Sequence, residues 1–294
     1  MKYVLLGSLG NITKPLAQKL VAAKHQVTVI SSKTAKAAEI EKLGATAAIG
    51  DLNDTDFLTR TFKGADAVYT MVPPGESENR KQQMRREGNS LVAAVKAAGI
   101  KKVLNLSSIG AHMPAGCGPV SALYFVEQAF NALDGVDVKH LRPAFFYTNL
   151  LNNIGMIKHA GIYGNNYGLD TDIVFVHPDD IAVVAAEELQ ALSFTGKTVR
   201  YIVDDIRTSK EVASILGNAI GKPELPYVQF TDEQALQGMV QAGLNEDSAL
   251  NYVEMGQAIR SGEMFAEYKK EPVQQGPVKL EDFAKAFAAV YAKS

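Results

Sequence analysis

Short apolar runs alternate with amphipathic stretches along the first half of the chain. The runs Lys2–Leu6, Gln26–Ile30, Thr46–Ile49, Ala67–Val72, Lys102–Leu106 and Val136–Leu141 predict strands. Between them, Asn11–Ala23, Ala35–Leu43, Asp54–Phe62, Arg80–Ala98 and Leu123–Leu133 carry helical periodicity, with Leu16, Leu20 and Val21 on one face of the first. Continuous apolar strands that alternate with helices belong in a parallel sheet covered on both faces. The second half reads differently. Asn149–Gly168, with Gly155, Gly161, Gly164 and Gly168, predicts loops and short helix. Ile173–Val176 and Thr198–Val203 predict strands, with a helix from Pro178 to Leu192 between them. Thr208–Ile220, Asp232–Ala242, Asn245–Ser261 and Leu280–Ala292 predict helices, the second opened by a capping box of Thr231 and Gln234. Lys269–Val278 predicts a surface loop. The expected organisation is a first part, residues 1–150, and a smaller mixed part, 151–294, from which residues 170–205 cross back.

Length and charge narrow the class. A chain of 294 residues, 47% hydrophobic and 21% charged, has the composition of a globular protein and the length for one large or two ordinary domains. Lys plus Arg is 30 and Asp plus Glu is 32, a net charge of −2, so there is no electrostatic case for a nucleic-acid partner. No run approaches the 18 or so apolar residues of a membrane span, and Tyr3–Leu6 is too short for a signal-peptide core. The single cysteine, Cys117, fits a reducing compartment, and the expected location is cytoplasmic. The histidines at 25, 112, 140, 159 and 177 have no ligand spacing, so no metal is expected.

The sharpest local signal is Gly7-Ser8-Leu9-Gly10-Asn11-Ile12-Thr13, between the first strand and the first helix. Gly7 allows a tight turn, Gly10 lets backbone approach a pyrophosphate, and the amides of Asn11 and Ile12 open a helix whose free N–H groups attract an anion. At the end of the second strand an NAD site would place Asp or Glu. Here stand Ser31, Ser32 and Lys33, two hydroxyls and a cation suited to a 2′-phosphate. NADP(H) is therefore the expected cofactor, ahead of NAD(H).

Further segments follow in order: Gly50-Asp51-Leu52-Asn53-Asp54, Val72-Pro73-Pro74, Val103–Ser108 ending in Ser-Ser, Leu141–Phe146 with Arg142-Pro143, and Phe175–Ala182. Together with the Gly-x-x-Gly loop they resemble the NmrA-like branch of the atypical short-chain dehydrogenase/reductases, over roughly residues 2–222 with a weaker match at Val278–Phe283. The resemblance implies an α/β Rossmann-type doubly wound parallel sheet that binds NAD(P), with a smaller C-terminal substrate part. It implies that Asp51 and Leu52 flank the adenine and that Val72 and Pro73 pass over the cofactor. It puts Ser107, Pro143 and Phe145 near the nicotinamide. Members of this branch include quinone and dye reductases and regulators that bind NADP without turnover.

One departure bears on chemistry. The wider superfamily uses Tyr-x-x-x-Lys, a general acid whose pKa the Lys lowers. No Tyr in this chain has Lys four residues on; Tyr124, the nearest candidate acid, is followed by Gln128. The Lys that the branch often keeps four residues before a Glu is also missing, since Leu123 precedes Glu127. A small, flat, aromatic acceptor such as a quinone or dye needs little acid catalysis, and a non-catalytic NADP sensor acting through a protein partner needs none; both readings fit. A homo-oligomer is compatible with either. Among other residues, His112 is the histidine expected nearest a substrate or in solvent on its loop, and His177 is read as fixing a helix start. Asp179 and Asp180 are read as charges of that helix start. Arg80, Lys81, Arg85 and Arg86, interleaved with Glu76, Glu78 and Glu87, are read as a solvated, ion-paired face. Of Phe145, Phe146, Tyr147, Tyr163 and Tyr167, some are expected in the core and others along the cleft.

Overall fold

The computed structural model describes residues 1–73 and 79–294. Pro74, Glu76 and Glu78 lie outside the described residues. The first six strands are β1 (Lys2–Leu5), β2 (Gln26–Ser31), β3 (Thr46–Ile49), β4 (Ala67–Met71), β5 (Lys102–Leu106) and β6 (Asp137–Pro143). They are joined by α1 (Thr13–Ala22), α2 (Ala37–Lys42), α3 (Thr55–Phe62), α4 (Arg80–Ala98) and α5 (Ser121–Asn131). Then come β7 (Phe145–Phe146), α6 (Ile154–His159), β8 (Tyr163–Asn165), β9 (Asp172–Val176), α7 (Pro178–Ala191), β10 (Lys197–Ile202) and β11 (Asp205–Thr208). The chain ends with α8 (Ser209–Ala219), β12 (Tyr227–Gln229), α9 (Asp232–Gln241), α10 (Glu246–Ser261), α11 (Ala266–Lys270) and α12 (Leu280–Lys293).

Seven strands form one sheet in the order β10-β6-β5-β4-β1-β2-β3, every pair parallel. This is the doubly wound Rossmann-type fold. Alternation along β1 explains its two cores. Tyr3 and Leu5 join Leu16 and Leu20 of α1 and Ile181, Ala185 and Leu189 of α7 on one face. Val4 and Leu6 join Leu58, Leu91, Val126 and Phe130 from α3, α4 and α5 on the other. Each such fully buried Leu or Phe contributes about 1.5–3 kcal/mol of apolar transfer. The chain returns to this sheet after residue 150, because β10 pairs with β6 from Lys197↔Val138 to Ile202↔Pro143.

The strand order reverses direction at β1, with β2 on one side and β4 on the other. A crevice opens there at the carboxyl ends of the strands, where open α/β sheets bind ligands. The expected elements of the first half are all present with shifts of one or two residues, apart from α2, which is preceded by a single 3-10 turn at Thr34–Lys36. Helix starts follow their caps: Asp54 accepts from the Phe57 amide at 2.8 Å, and Thr231 and Gln234 form the capping box. His177 accepts from the Asp179 amide at 3.2 Å, which fixes the start of α7 as read from the sequence. The short strands β7, β8, β11 and β12 were not anticipated; each has two to four residues and exists through a partner elsewhere, as in β8 with β12. Lys269 and Lys270, expected in a loop, end α11.

Candidate functional site

A cavity of about 610 Å³ lies along the carboxyl edge of the sheet, a size within the range of small-ligand sites. Its wall begins at the loop after β1. Gly7 has φ +99, and a Cβ there would stand 2.5 Å from Thr13 Oγ1. The Thr13 hydroxyl donates to the Leu6 carbonyl at 2.8 Å, which stitches the strand end to the helix start. Thr13 at the seventh loop position is thus a structural fastener. A Cβ on Gly10 would come within 3.1 Å of the Gly7 carbonyl oxygen. Ser8 holds the left-handed conformation at φ +55, a strained value for a residue with a Cβ. Its amide donates to the Ile30 carbonyl at 3.0 Å and its hydroxyl to Ser31 Oγ at 2.9 Å. The loop is thereby tied to the end of β2.

Helix α1 begins without a side-chain cap and without an acidic residue in its first turn. Among the described residues, the amides of Asn11, Ile12 and Thr13 meet no backbone acceptor. Free amides at an uncapped helix start are an anion site in waiting.

Of the residues singled out in the sequence, Gly7, Gly10, Asn11, Ile12, Ser31, Ser32, Leu52, Val72, Pro73 and Ser107 all line this one cavity. Ser107 is of special interest. It is buried, and its hydroxyl has no partner among the described residues. A buried, unpaired hydroxyl costs stability unless a ligand or water satisfies it. Tyr69, in the cavity floor, has a fully buried hydroxyl in the same condition, and burial raises its pKa. The unprotected α1 amides and these orphaned hydroxyls fit a polar, anionic ligand such as a dinucleotide.

Five of the singled-out residues are not in the wall. The Asp51 carboxylate turns back onto Asn53, accepting from its amide at 2.7 Å and its side chain at 2.9 Å, and these bonds hold it below the usual carboxylate range. Its neighbours Gly50 and Leu52 line the cavity instead. Lys33 is exposed just beyond the wall residue Ser32, its amide donating to Ser31 Oγ at 3.1 Å. Pro143 is buried at the end of β6, opposite Ile202. Phe145 packs edge-on against Phe175, so strand alternation turns the next residue, Phe146, to the cleft. Tyr124 is half-buried against Phe125, while Val120 and Leu123 of the same turn face the cavity. Helical spacing alone did not fix which face of α5 looks inward.

Other wall residues escaped the sequence reading. Arg80 and Lys81 line the cavity rather than forming a solvated face. Arg80 is buried with Glu87 at 3.3 Å and also donates to the Pro73 carbonyl. Arg85 lies over the Phe125 ring. Ser248, Asn251 and Tyr252 of α10 complete the wall from the far end of the chain. His112, by contrast, is half-buried away from the wall, with Arg142, Glu267 and Lys270 around it; burial first, then Arg142, lowers its pKa. Glu127 is occupied by Arg142, which donates to it at 3.0 and 2.6 Å. Tyr147 is core, stacked between Phe175 and Phe283. Among the described residues no cluster of three or more His, Cys, Asp or Glu could hold a metal ion, and no helix is long and apolar enough to cross a membrane.

Comparison with known proteins agrees with this geometry. A family model described as NAD(P)H-binding matches residues 7–133, from the glycine loop to the end of α5. The NAD(P)H azoreductase of Xenophilus azovorans is 28% identical over 248 residues, 84% of this chain and 83% of that protein. The triphenylmethane reductase of Citrobacter sp., solved with NADP(H), superposes with a TM-score of 0.80 at 21% identity, covering 98% of this chain and 100% of that one. NmrA, a negative transcriptional regulator, superposes with a TM-score of 0.79 at 14% identity, over 99% of this chain and 97% of that one. The glycine loop, the parallel sheet and the match over residues 7–133 together show an NAD(P)H-binding region of Rossmann-type fold, and the solved structures share that fold.

Proposed function

We propose that the protein is an NADPH-dependent reductase of small, flat, electron-poor acceptors such as quinones or dyes. The observation that carries this reading is the composition of this cavity's wall. It joins an anion-ready helix start and a carboxylate-free β2 end to an apolar patch of Val120, Leu123 and Phe146. The azo and triphenylmethane reductases among the related proteins support it.

Bound NADPH would supply the hydride, leaving the chain to bind and orient. Gly7 and Gly10 keep side chains out of the path of the pyrophosphate, and the amides of Asn11 and Ile12 donate to it. The hydroxyls of Ser31 and Ser32, with the ammonium of Lys33, hold the 2′-phosphate; a carboxylate at this strand end would repel it. Leu52 and the backbone of Asp51 flank the adenine, and Val72 and Pro73 cover the cofactor. The Ser107 hydroxyl serves the nicotinamide end, and Phe146 takes the place given by resemblance to Phe145. No Tyr-Lys pair is available to protonate the product. A quinone that accepts a hydride takes its proton from water through the open cleft, which limits the enzyme to acceptors that need no strong acid.

The missing pair and the NmrA likeness favour one second reading, an NADP-responsive regulator acting through a protein partner. Fluorescence titration with NADPH and NADH, followed by a panel of quinones and azo dyes, separates the two. Catalysed loss of the NADPH signal is expected. Tight binding with no oxidation above background across the panel would transfer the assignment to the regulator.

A further inference from the structure

We infer that Glu254 is a positioning residue that sets the width of the acceptor end of the cleft. The inference rests on the reading of the cavity as a dinucleotide and acceptor site. Glu254 is not itself in the wall, yet its carboxylate joins three segments that are. Oε2 takes the Lys81 ammonium, from the first turn of α4, at 2.7 Å. Oε1 takes the Gly116 amide at 2.8 Å, in the loop that leads into Pro119, Val120 and Leu123. Glu254 itself sits on α10, whose Ser248, Asn251 and Tyr252 face the cavity at the helical spacing of three and four residues.

Next to this clasp the backbones meet closely. Gly118 has φ +55, and a Cβ there would stand 2.1 Å from the Asn251 carbonyl oxygen. The 116–120 turn thus packs directly on α10, and the carboxylate fixes how α10 lies across it and against α4. Both members of the ion pair are about one third exposed, Lys81 at 33% and Glu254 at 32%, so water and salt reach them. An ion pair of this kind is weak and screened by salt. It contributes little to global stability but biases a helix that one face of the ligand must pass.

The test uses the full chain, saturating NADPH and menadione, which is uncharged and so carries no salt dependence of its own. Glu254→Gln keeps an oxygen for the Gly116 amide and removes the charge facing Lys81. The expected result is a rise of about fivefold in the menadione KM, the scale of a partly exposed ion pair. The NADPH Kd, kcat and Tm should stay near wild type. Rising salt should increase the wild-type KM and leave that of E254Q flat. An unchanged KM, a parallel change in NADPH Kd, or a KM that keeps its salt dependence in E254Q would overturn the inference. Wild-type protein that fails to bind NADPH would instead overturn the reading of the cavity, and this inference with it.

Discussion

The two ends of the cleft are built in different ways. The end at β1 and β2 is local: Gly7 to Thr13 is one strand-to-helix turn, tied to Ser31 by a single Ser8 hydroxyl. The opposite end is assembled from Arg80 and Lys81, Pro119 to Leu123, Phe146, and Ser248 to Tyr252, pieces separated by up to 172 residues of chain. The steric constraints of the first end lie between neighbouring residues. The second depends on helices docked side by side. A common cofactor with variable acceptors is what such a division permits.

This contrast breaks most sharply at two glycines. Gly7→Ala puts a Cβ where φ is +99 and Thr13 Oγ1 is 2.5 Å away. The loop must rearrange, and NADPH affinity should fall by about 100-fold or more, since several anion contacts are lost together. A titration followed by cofactor fluorescence measures it, and retained affinity within threefold would show the loop is not the phosphate site. Gly118→Ala drives its Cβ into the Asn251 carbonyl oxygen and should displace α10. The expected effect is about a tenfold increase in acceptor KM with NADPH binding little altered, a change on the order of 1.4 kcal/mol. Equal losses in both parameters would mean that the two ends are mechanically one. The smallest effect belongs to Lys33→Ala. Loss of one exposed cation should reduce the preference for NADPH over NADH by about fivefold and leave NADH binding unchanged. A preference untouched by the substitution would move the 2′-phosphate onto Ser31 and Ser32 alone.

Legibility followed the same division. The parallel sheet and the glycine loop could be read because each depends on patterns within a few residues: apolar runs, turn glycines, caps. Ten of the residues singled out on that basis line the one cavity. Errors began where the answer depended on which way a side chain turns. Phe145 and Phe146 differ only by strand alternation, and Asp51 is drawn off by Asn53, a bond that the adjacent Asp-x-Asn pattern could have suggested. Arg80 pairs with Glu87 on its own helix, as the interleaved charges suggested, but the pair is buried, which tertiary packing decides; the partner of Lys81, Glu254, lies 173 residues away. Nothing local marks Ser248, Asn251 and Tyr252 as cleft residues; α10 reads as an ordinary amphipathic helix until tertiary packing lays it over the 118–120 turn.

The central claim is that the cavity holds NADPH and delivers its hydride to an acceptor at the opposite end. The most direct measurement follows NADPH fluorescence as purified protein is titrated, then after menadione is added to the same cuvette. The account expects saturable binding, tighter than for NADH, and a loss of NADPH signal at a rate proportional to protein concentration. Absence of binding, or binding with no oxidation above background, would contradict it.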